Sequence, residues 1–427
     1  MFPSPPPLNL PPDPVVPVPL PPVHRIARLG TGALAALLAA MAMLGPFAID
    51  AYLPAFPSIE ADLGASAIEV QQTLTAYMLA FAGMVLWHGA LADAFGRRNI
   101  VLCSLVVFAV GTFGCAASHS VHHLWVFRIL QGISAGAGTV VGRAIIRDLY
   151  AGAAAMRLLS MVTMIFSIAP AVAPVLGGWI VKYSHWRTIF LCLLVYTVVL
   201  FIACYRYLPE TLPPAHRQPF NPGYLATNYG AIFRSPLFHM KSGIIAFNFA
   251  GLFLFITAAP VMLPVHLHLG PDQFAWLFVP SVLGIFLGAL GANRIAGRIT
   301  FVRQIGIGFC FLIGAAGANV AYHLAFAPAL PWSVLPIFFY TIGMSLVAPG
   351  ATLLTLDLFP HIRGTVASCQ SFVMTLLGAL VAGVIAPFLS HSVLWLALGQ
   401  LGFVLAALAL WLTSRLYRRR LSAQGVR

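Results

Sequence analysis

Long apolar segments separated by short polar stretches fill most of the chain. About 20 apolar residues span the hydrocarbon core of a bilayer as an α-helix, and segments of that length occur twelve times. Six lie before the polar, proline-rich stretch 208–240 and six lie after it. The pattern predicts an all-α membrane protein with two pseudo-symmetric six-helix bundles. The predicted spans 1 to 12 are residues 31–53, 72–92, 100–118, 124–146, 158–181, 188–207, 242–265, 275–297, 303–323, 330–352, 366–389 and 392–413.

The same pattern divides the chain into five parts. We predict an N-terminal bundle over 25–207, a cytoplasmic linker over 208–240, a C-terminal bundle over 241–414 and a basic cytoplasmic tail over 415–427. Eleven of the first 24 residues are proline, so 1–24 is expected to form neither a helix nor a core. We expect a disordered cytoplasmic extension or an incorrectly assigned start there, and the alternative is a ligand for a proline-binding partner.

Composition and charge indicate that lipid is the solvent of this chain. Hydrophobic residues make up 60% and charged residues 8%, whereas soluble domains carry roughly 45–50% and about 25%. With the N-terminus in the cytoplasm, 20 of the 23 lysines and arginines fall on the cytoplasmic side, Lys182 and Arg187 fall outside, and Arg128 lies within span 4. Basic residues favour cytoplasmic loops, so both termini are predicted to be cytoplasmic. The net charge of +13 then reflects topology, and we expect no nucleic-acid partner.

The sequence shows no pattern of catalysis or of metal binding. The six cysteines are scattered through apolar segments without ligand spacing, which is typical of small buried hydrophobic side chains. Motifs of nucleotide-binding loops, zinc proteases and serine hydrolases are missing from the sequence. We therefore expect no enzymatic activity, no metal and no cofactor.

A short segment recurs at the same place in both predicted halves. Residues 89–98 read GALADAFGRR after span 2, and residues 288–298 read GALGANRIAGR at the end of span 8. The second copy is one residue longer and lacks the aspartate. Two six-helix halves related by an axis along the membrane normal explain this recurrence.

The first copy resembles the loop signature G-x-L-x-D-x-x-G-R-R of the major facilitator superfamily. Its glycines permit tight turns and close helix approach, and Asp93 can pair with Arg97 or Arg98 at the cytoplasmic edge. Such a cluster acts as a latch that is intact in one conformation and broken in another. The alternative is a solvated turn, and Ala94, where the family often has arginine, weakens the latch. The predicted latch residues are Gly89, Asp93, Gly96, Arg97 and Arg98.

Residues 128–132 in span 4 read RILQG and resemble the second signature of this family, R-x-x-Q-G. An arginine inside an apolar segment is costly and usually marks function. The alternative is that Arg128 reaches the outer interface, because it lies only one turn inside the span.

Residues 169–178 in span 5 read APAVAPVLGG and resemble the antiporter signature of drug exporters, G-P-x-x-G-P-x-x-G-G. Alanine stands at 169 and 173, where glycine is common. Proline and small residues bend a helix and let a neighbour approach closely. The resemblance favours an antiporter, and a packing role alone is the alternative. The motif residues are Pro170, Pro174, Gly177 and Gly178.

Three further stretches narrow the resemblance to the Bcr/CflA branch, named for bicyclomycin and chloramphenicol resistance. They read DAYLPAFP at 50–57, RAIIRDLY at 143–150 and LPETL at 208–212. The resemblance covers residues from about 30 to 415. It implies a monomeric, multi-pass protein of the bacterial inner membrane whose energy source is the proton gradient.

Asp50 is the one acidic residue that the predicted topology places within a first-half span and away from the cytoplasmic ends. A carboxylate in surroundings of low dielectric constant holds a proton more readily than one in water, so it can exchange protons near neutral pH. We predict proton coupling through Asp50, which can pair with Arg128 when the substrate site is empty. A cap at the outer end of span 1 is the alternative, and Asp357 is expected to be structural.

The predicted function is proton-coupled export of a small amphipathic compound, such as an antibiotic, by alternating access. An exporter of an endogenous metabolite, such as an amino acid or a siderophore, is the alternative. The latch signature, its partial copy and the isolated acid argue against a channel or a receptor. Bundle sites join an apolar lining to a few polar groups, although packing or lipid contact explains the aromatic candidates equally well. The candidate substrate-binding residues are Tyr77, Gln131, Asn248, Phe253, Tyr340 and Gln370.

Overall fold

The computed structural model describes residues 30–423, apart from the side chains of Ala153 and of 418–423. The proline-rich tail 1–24 lies outside the described residues, as do Arg25, Arg28 and the end of the basic tail. The first half, with spans 1 to 6, consists of α1 (Thr31–Asp50), α2 (Phe56–Leu63), α3 (Ala67–Val85), α4 (His88–Phe95), α5 (Arg97–Ala116), α6 (Val121–Ala135), α7 (Ala137–Leu149), α8 (Gly152–Phe166), α9 (Ala169–Tyr183) and α10 (Arg187–Tyr207).

The second half follows a linker that contains a helix of its own. The linker helix is α11 (Pro222–Phe233), and two segments of the second half, Met262–His266 and Val381–Ile385, are π-helical. Spans 7 to 12 comprise α12 (Pro236–Val261), α13 (Ala275–Ile295), α14 (Phe301–Ala325), α15 (Leu335–Leu356), α16 (Arg363–Leu380) with α17 (Ala386–Leu389), and α18 (Val393–Ala423).

The span count agrees with the prediction. Within residues 30–423 all regular structure is helical, and eleven helices are long and apolar enough to cross a bilayer. The twelfth is the pair α3 and α4, which forms span 2 and is bent by 50°. An all-α membrane protein with twelve spans is therefore confirmed when this bent pair counts as one span.

Local sequence signals set the ends of the helices. Ser66 and Glu69 form a capping box that starts span 2. Ser235 caps α12, so span 7 begins at Pro236 and takes in the last residues of the predicted linker. At the other end of this half, α18 continues to Ala423, into the segment predicted to be the basic tail.

The two halves differ in where their spans are interrupted. Span 2 is broken at Leu86 and Trp87, span 4 at Gly136, and span 5 at Ser167 and Ile168. In the second half, spans 8, 9, 10 and 12 are single helices, and the π-helical segments interrupt spans 7 and 11 near one end. The breaks of spans 4 and 5 lie near the middle of the span, whereas the break of span 2 lies toward its inner end.

Glycines bring the helix backbones together within each half. A side chain at Gly132 in span 4 would overlap the backbone carbonyl of Tyr77 in span 2. The equivalent pair in the second half is spans 8 and 10, where Gly284 faces the carbonyl of Phe338. Small residues at helix contacts are the usual means of close packing in membranes, and their equivalent positions support the predicted two-fold repeat.

The halves meet at one end of the molecule and are separated by a cavity at the other. We call the end with Asp93 and Arg97 the inner end and the end with Lys182 and Asp272 the outer end. At the inner end a cavity of about 500 Å³ lies between spans 2 and 4, the linker and the start of span 11. Helix α11 crosses this end, because Tyr229 donates to the carbonyl of Leu86 (2.5 Å) while other residues of α11 pack on span 11.

Candidate functional site

Asp50 is the last residue of α1, and its side chain is enclosed. A 3₁₀ turn over Leu53–Ala55 follows, because Pro54 disfavours a continued helix for the residues before it. Asp50 is 6% exposed, and within residues 30–423 its carboxylate has no hydrogen bond and no ion pair. The alternative role of Asp50, a cap at the end of α1, would need a hydrogen bond from its carboxylate, and none is formed among these residues. A negative charge at a helix C-terminus also opposes the helix dipole.

Arg128 is fully buried and points into the first half. Its Nη1 donates to the carbonyl oxygen of Ala48 (2.9 Å) and to Oε1 of Gln131 (2.9 Å). The guanidinium lies between two aromatic rings, 4.7 Å from the centroid of Tyr52 and 4.4 Å from that of Tyr77. Because these contacts hold the guanidinium inside the first half, the side chain of Arg128 does not reach the outer interface, as the alternative interpretation supposed. Nε and Nη2 have no hydrogen-bond partner among the described residues.

Each fixed residue of the R-x-x-Q-G signature has a separate physical task. Gln131 receives the arginine hydrogen bond and donates its Nε2 to Oγ1 of Thr112 (2.8 Å), which fixes the amide. Gly132 leaves room for the backbone of span 2 at Tyr77. This close approach carries the Tyr77 ring onto the guanidinium, so a glycine in span 4 shapes the surroundings of Arg128.

The predicted ion pair between Asp50 and Arg128 is not formed in this structure. Arg128 instead binds the carbonyl of Ala48, two residues before Asp50 and so on a different face of α1. The ring of Tyr77 lies on the guanidinium of Arg128, and its hydroxyl donates to the carbonyl of Gly45 in α1, five residues before Asp50 (3.3 Å). The structure therefore brings Asp50, Arg128, Tyr77 and Gln131 into one cluster without direct contact between the two charges.

Two adjacent glycines of span 5 link this cluster to the second half. A side chain at Gly177 would overlap the backbone carbonyl of Ala51, the residue after Asp50. A side chain at Gly178 would overlap the carbonyl of Pro271, which precedes span 8. Pro170 lies in the first turn of α9 and Pro174 is buried inside the helix. The glycines of the antiporter signature thus serve two interfaces at once.

Polar contacts close the outer end between the halves. Gln71 donates its Nε2 to the carbonyl of Ala382 (3.0 Å) and Gln72 to that of Gly383 (2.8 Å), both in the π-helical segment of span 11. In addition, Lys182 pairs with Asp272 at 2.8 Å. We call these contacts, together with Gly178 against Pro271, the outer seal. None of its polar side chains was predicted as a site residue, although two adjacent glutamines beside an apolar segment were a visible signal.

The predicted latch residues gather at the inner end within the first half. Arg97 forms ion pairs with Asp93 and, through Nε (3.1 Å), with Asp148 in span 4. Arg98 instead donates to the carbonyl of Tyr205 in span 6 (2.7 Å) and lies over its ring. Gly89 is in ordinary contact with span 4. No described side-chain bond joins this cluster to spans 7 to 12.

The LPETL stretch supplies the remaining partners of the latch cluster. Glu210 accepts from the backbone N–H of Arg97 (2.9 Å), and Thr211 donates to Asp148 (2.9 Å). Gly96 has φ +98° and ψ 146°, and a side chain there would overlap the carboxylate of Glu210. The turn therefore requires glycine for both its backbone conformation and its space.

A second buried polar cluster lies in the second half. Tyr340 donates to the backbone carbonyl of Asn248 (2.8 Å), and Gln400 donates to that of Gly251 (3.3 Å) and accepts from Asn319 (3.2 Å). The amide nitrogen and oxygen of Asn248 have no partner among the described residues. Asn319 and Gln400 were not predicted, because nothing in their local sequence indicates which way they face.

The last two substrate candidates lie apart from both clusters. Phe253 is buried near Gly378 of span 11, which also adjoins Met78 of span 2. Gln370 is partly buried and donates to Thr352 of span 10 (3.2 Å). Asp357, expected to be structural, pairs with Arg363 at the inner end (2.8 Å). Residues 30–423 contain no group of His, Cys, Asp and Glu side chains that could hold a metal ion.

Comparison with known proteins agrees with this architecture. The family model described as Major Facilitator Superfamily matches residues 34–382. The chain belongs to the major facilitator superfamily. It is 32% identical to the uncharacterized MFS-type transporter YdgK of Bacillus subtilis over 82% of this chain and 87% of that protein. It is 28% identical to a bicyclomycin resistance protein homolog of Haemophilus influenzae, with the same coverage.

Solved structures of the superfamily share the fold. A bacterial homolog of the human lysosomal transporter Spinster aligns with a TM-score of 0.67 at 18% identity, over 92% of this chain and 97% of that one. The relatives support the Bcr/CflA drug-efflux branch. This superfamily member is accordingly a multi-pass transporter of the bacterial inner membrane and not an enzyme.

Proposed function

We propose that this transporter is a proton-coupled antiporter that exports a small amphipathic compound, such as an antibiotic, by alternating access. The observation that carries the proposal is Asp50, an enclosed carboxyl group without a polar partner among the described residues. It shares a cluster with Arg128, two of whose nitrogens also lack partners. The bicyclomycin resistance protein homolog among the relatives supports export of a drug.

The two protonation states of Asp50 need different surroundings. A neutral carboxyl group tolerates its enclosure, whereas a buried carboxylate is stable only with a cation or with donated hydrogen bonds. The free Nε and Nη2 of Arg128 are donors of the right kind. Loss of the proton therefore favours a rearrangement that brings Arg128 toward Asp50 and away from Ala48.

Span 5 provides the route from this rearrangement to the rest of the molecule. Ala51, next to Asp50, packs directly on Gly177, while Gly178 packs on Pro271 of the second half. A shift at the end of α1 must therefore displace span 5 and disturb the outer seal. Proton release at Asp50 and opening of the outer end become two parts of one transition between conformations.

The test is gradient-driven transport by the variant Asp50→Asn. Proteoliposomes with an imposed pH gradient would be assayed for radiolabelled bicyclomycin and chloramphenicol, the two compounds that name this branch. We expect the variant to transport at the level of a collapsed-gradient control, because an amide cannot release a proton. Exchange of labelled for unlabelled compound without a gradient should persist, since it needs no proton.

The matched control is Asp357→Asn, which removes a carboxylate that is exposed and paired with Arg363. It should transport like the wild type, and both variants should show wild-type thermal unfolding. Gradient-driven transport by Asp50→Asn at the wild-type rate would contradict the proposal.

A further inference from the structure

A cavity of about 160 Å³ lies between spans 1, 4 and 5 of the first half. Most of its lining is apolar, with Leu38 and Ala42 from span 1 and Phe166 from span 5 among the lining residues. Arg143 of span 4 is the only charged residue in this lining. An engineered apolar cavity of roughly this size, about 150 Å³, accepts benzene, so the space suits one ring or a short branched chain.

The cavity lies well inside the membrane-spanning part of the helices. Leu38 is about 10 Å along α1 from its inner end at Thr31, and Phe166 is about 20 Å along α8 from Gly152, at 1.5 Å per residue. Arg143 lies about 9 Å along α7 from its inner end at Leu149. The side chain of Arg143 is exposed, so the guanidinium is accessible to a ligand.

The cavity is on the side of span 1 that faces away from span 6. Tyr196 of span 6 donates to the carbonyl of Ala40 (2.7 Å), and helix geometry puts Ala40 on the face opposite Leu38 and Ala42. Span 5, which forms the other wall, contacts the second half through Gly178. All residues that line the cavity belong to the first half.

Arg143 has no hydrogen bond and no ion pair within residues 30–423. Arg147, one turn further along α7, carries a like charge. Some other arginines pair with acids, as Arg97 does with Asp148 and Arg187 with Asp62. The protein supplies a cation here without supplying its counter-charge.

We propose that Arg143 is an anion subsite that binds a carboxylate or a similar anionic group of the transported compound. The planar guanidinium can hold a carboxylate through two parallel hydrogen bonds. The lining threonines are already engaged, because Thr139 donates to the carbonyl of Gly136 and Thr163 to that of Leu159. Arg143 is therefore the free donor of the cavity, and the apolar walls take the hydrophobic body of the compound. This inference rests on the proposed export function and specifies its substrate as an amphipathic acid or zwitterion.

The test measures binding, which needs no proton gradient. Purified protein in phosphatidylcholine nanodiscs would be dialysed to equilibrium against radiolabelled 4-butylbenzoate or its uncharged isostere 4-butylbenzamide. We expect wild-type protein to prefer the benzoate by about tenfold, the discrimination that one charge-assisted contact provides. Arg143→Gln should lose this preference, and Arg143→Lys should keep part of it, because a lysine retains the charge but not the planar fork.

Two control variants separate this proposal from simpler explanations. Arg157→Gln removes an exposed positive charge from the neighbouring span 5 outside the cavity, and it should keep the full preference. Asp357→Asn, which removes an exposed carboxylate outside the cavity, should also keep it. Equilibrium binding needs no gradient, so a failure of proton coupling and a failure of the anion subsite remain distinguishable. An unchanged preference in Arg143→Gln would overturn the proposal.

An anionic lipid headgroup has the same chemistry as the carboxylate of a compound. The measurement would therefore be repeated in nanodiscs that contain phosphatidylglycerol. If the ligand of the subsite is a transported compound, the wild-type protein should still prefer the benzoate in these nanodiscs. Loss of the preference in these nanodiscs would assign the subsite to a lipid and overturn its role in transport.

Discussion

The buried polar clusters at the centre of the two halves contain residues of different kinds. The first half encloses a carboxyl group and a guanidinium, Asp50 and Arg128, whereas the cluster of the second half consists of the neutral Tyr340, Asn319 and Gln400. The acids of the described second half, such as Asp272, are partly exposed and paired. The two bundles thus share their glycine contacts between helices, but only the first has a carboxyl group and a guanidinium in its central cluster.

The interruptions of the helices follow the same division. The first half breaks spans 4 and 5 near their middle and span 2 toward its inner end, while the second half keeps its interruptions at the outer end. Broken helices expose backbone groups and allow local bending. Under the proposed function, the first half would carry the changes driven by protons and the second half would be the more rigid partner.

The largest expected effect is the difference between a substitution in the charged cluster of the first half and one in the neutral cluster of the second half. Arg128→Met should abolish gradient-driven transport, and Arg128→Lys should not restore it, because an ammonium cannot lie flat between the rings of Tyr52 and Tyr77. Tyr340→Phe removes one hydroxyl from the second half and should cost only about 0.6 kcal/mol of stability. Proteoliposome transport and thermal unfolding of each variant measure both quantities. Equal loss of transport in Arg128→Met and Tyr340→Phe would remove the distinction between the halves.

An intermediate effect is expected from the two copies of the inner turn. Gly96 and Gly297 both have positive φ, +98° and +76°. Gly96→Ala should cost about 1–3 kcal/mol for its backbone conformation and should also displace Glu210, whereas Gly297 has open space around it. Gly297→Ala should therefore cost only about 1 kcal/mol. Thermal unfolding of the two variants side by side tests this order, and a larger cost at Gly297 would reverse it.

The smallest expected effect concerns the ion pair that joins the halves. Lys182 and Asp272 are both partly exposed, so their pairing is worth about 0–1 kcal/mol. Lys182→Asp should widen the distance distribution between spin labels on the outer ends of spans 5 and 8, because it places two negative charges in the outer seal. The double variant with Asp272→Lys should restore the wild-type distribution. If the double variant does not return to the wild-type distance distribution, the ion pair does not hold this end of the molecule closed.

Much of the fold was predictable because it depends on residue type and spacing. Apolar length identified the spans, and the positions of glycine and proline identified the turn at Gly96 and the contacts of Gly177 and Gly178. Asp50 stood out because a lone acid in an apolar span is rare. These signals are local, and each is written in a few adjacent residues.

What sequence reasoning missed depends on how each helix is rotated. Asn319 and Gln400 meet across 81 residues of chain, and Gln71 meets a carbonyl that only the π-helical segment of span 11 presents. The expected contact between Asp50 and Arg128 failed for the same reason, since about half a turn of α1 separates the carboxylate of Asp50 from the carbonyl of Ala48 that Arg128 meets. Rotation is fixed by packing against several neighbours at once, and periodicity in one span cannot supply it.

The backbone contacts of Gly177 and Gly178 have a consequence for the stiffness of the transporter. Side-chain contacts can absorb a small displacement by changing rotamer, but a glycine that touches a carbonyl has no rotamer to change. Any movement of α1 at Ala51 is therefore passed to Pro271 with little loss. Such a linkage would suit the proposed coupling between proton release at Asp50 and opening of the outer end, because slack at either glycine would let one event occur without the other.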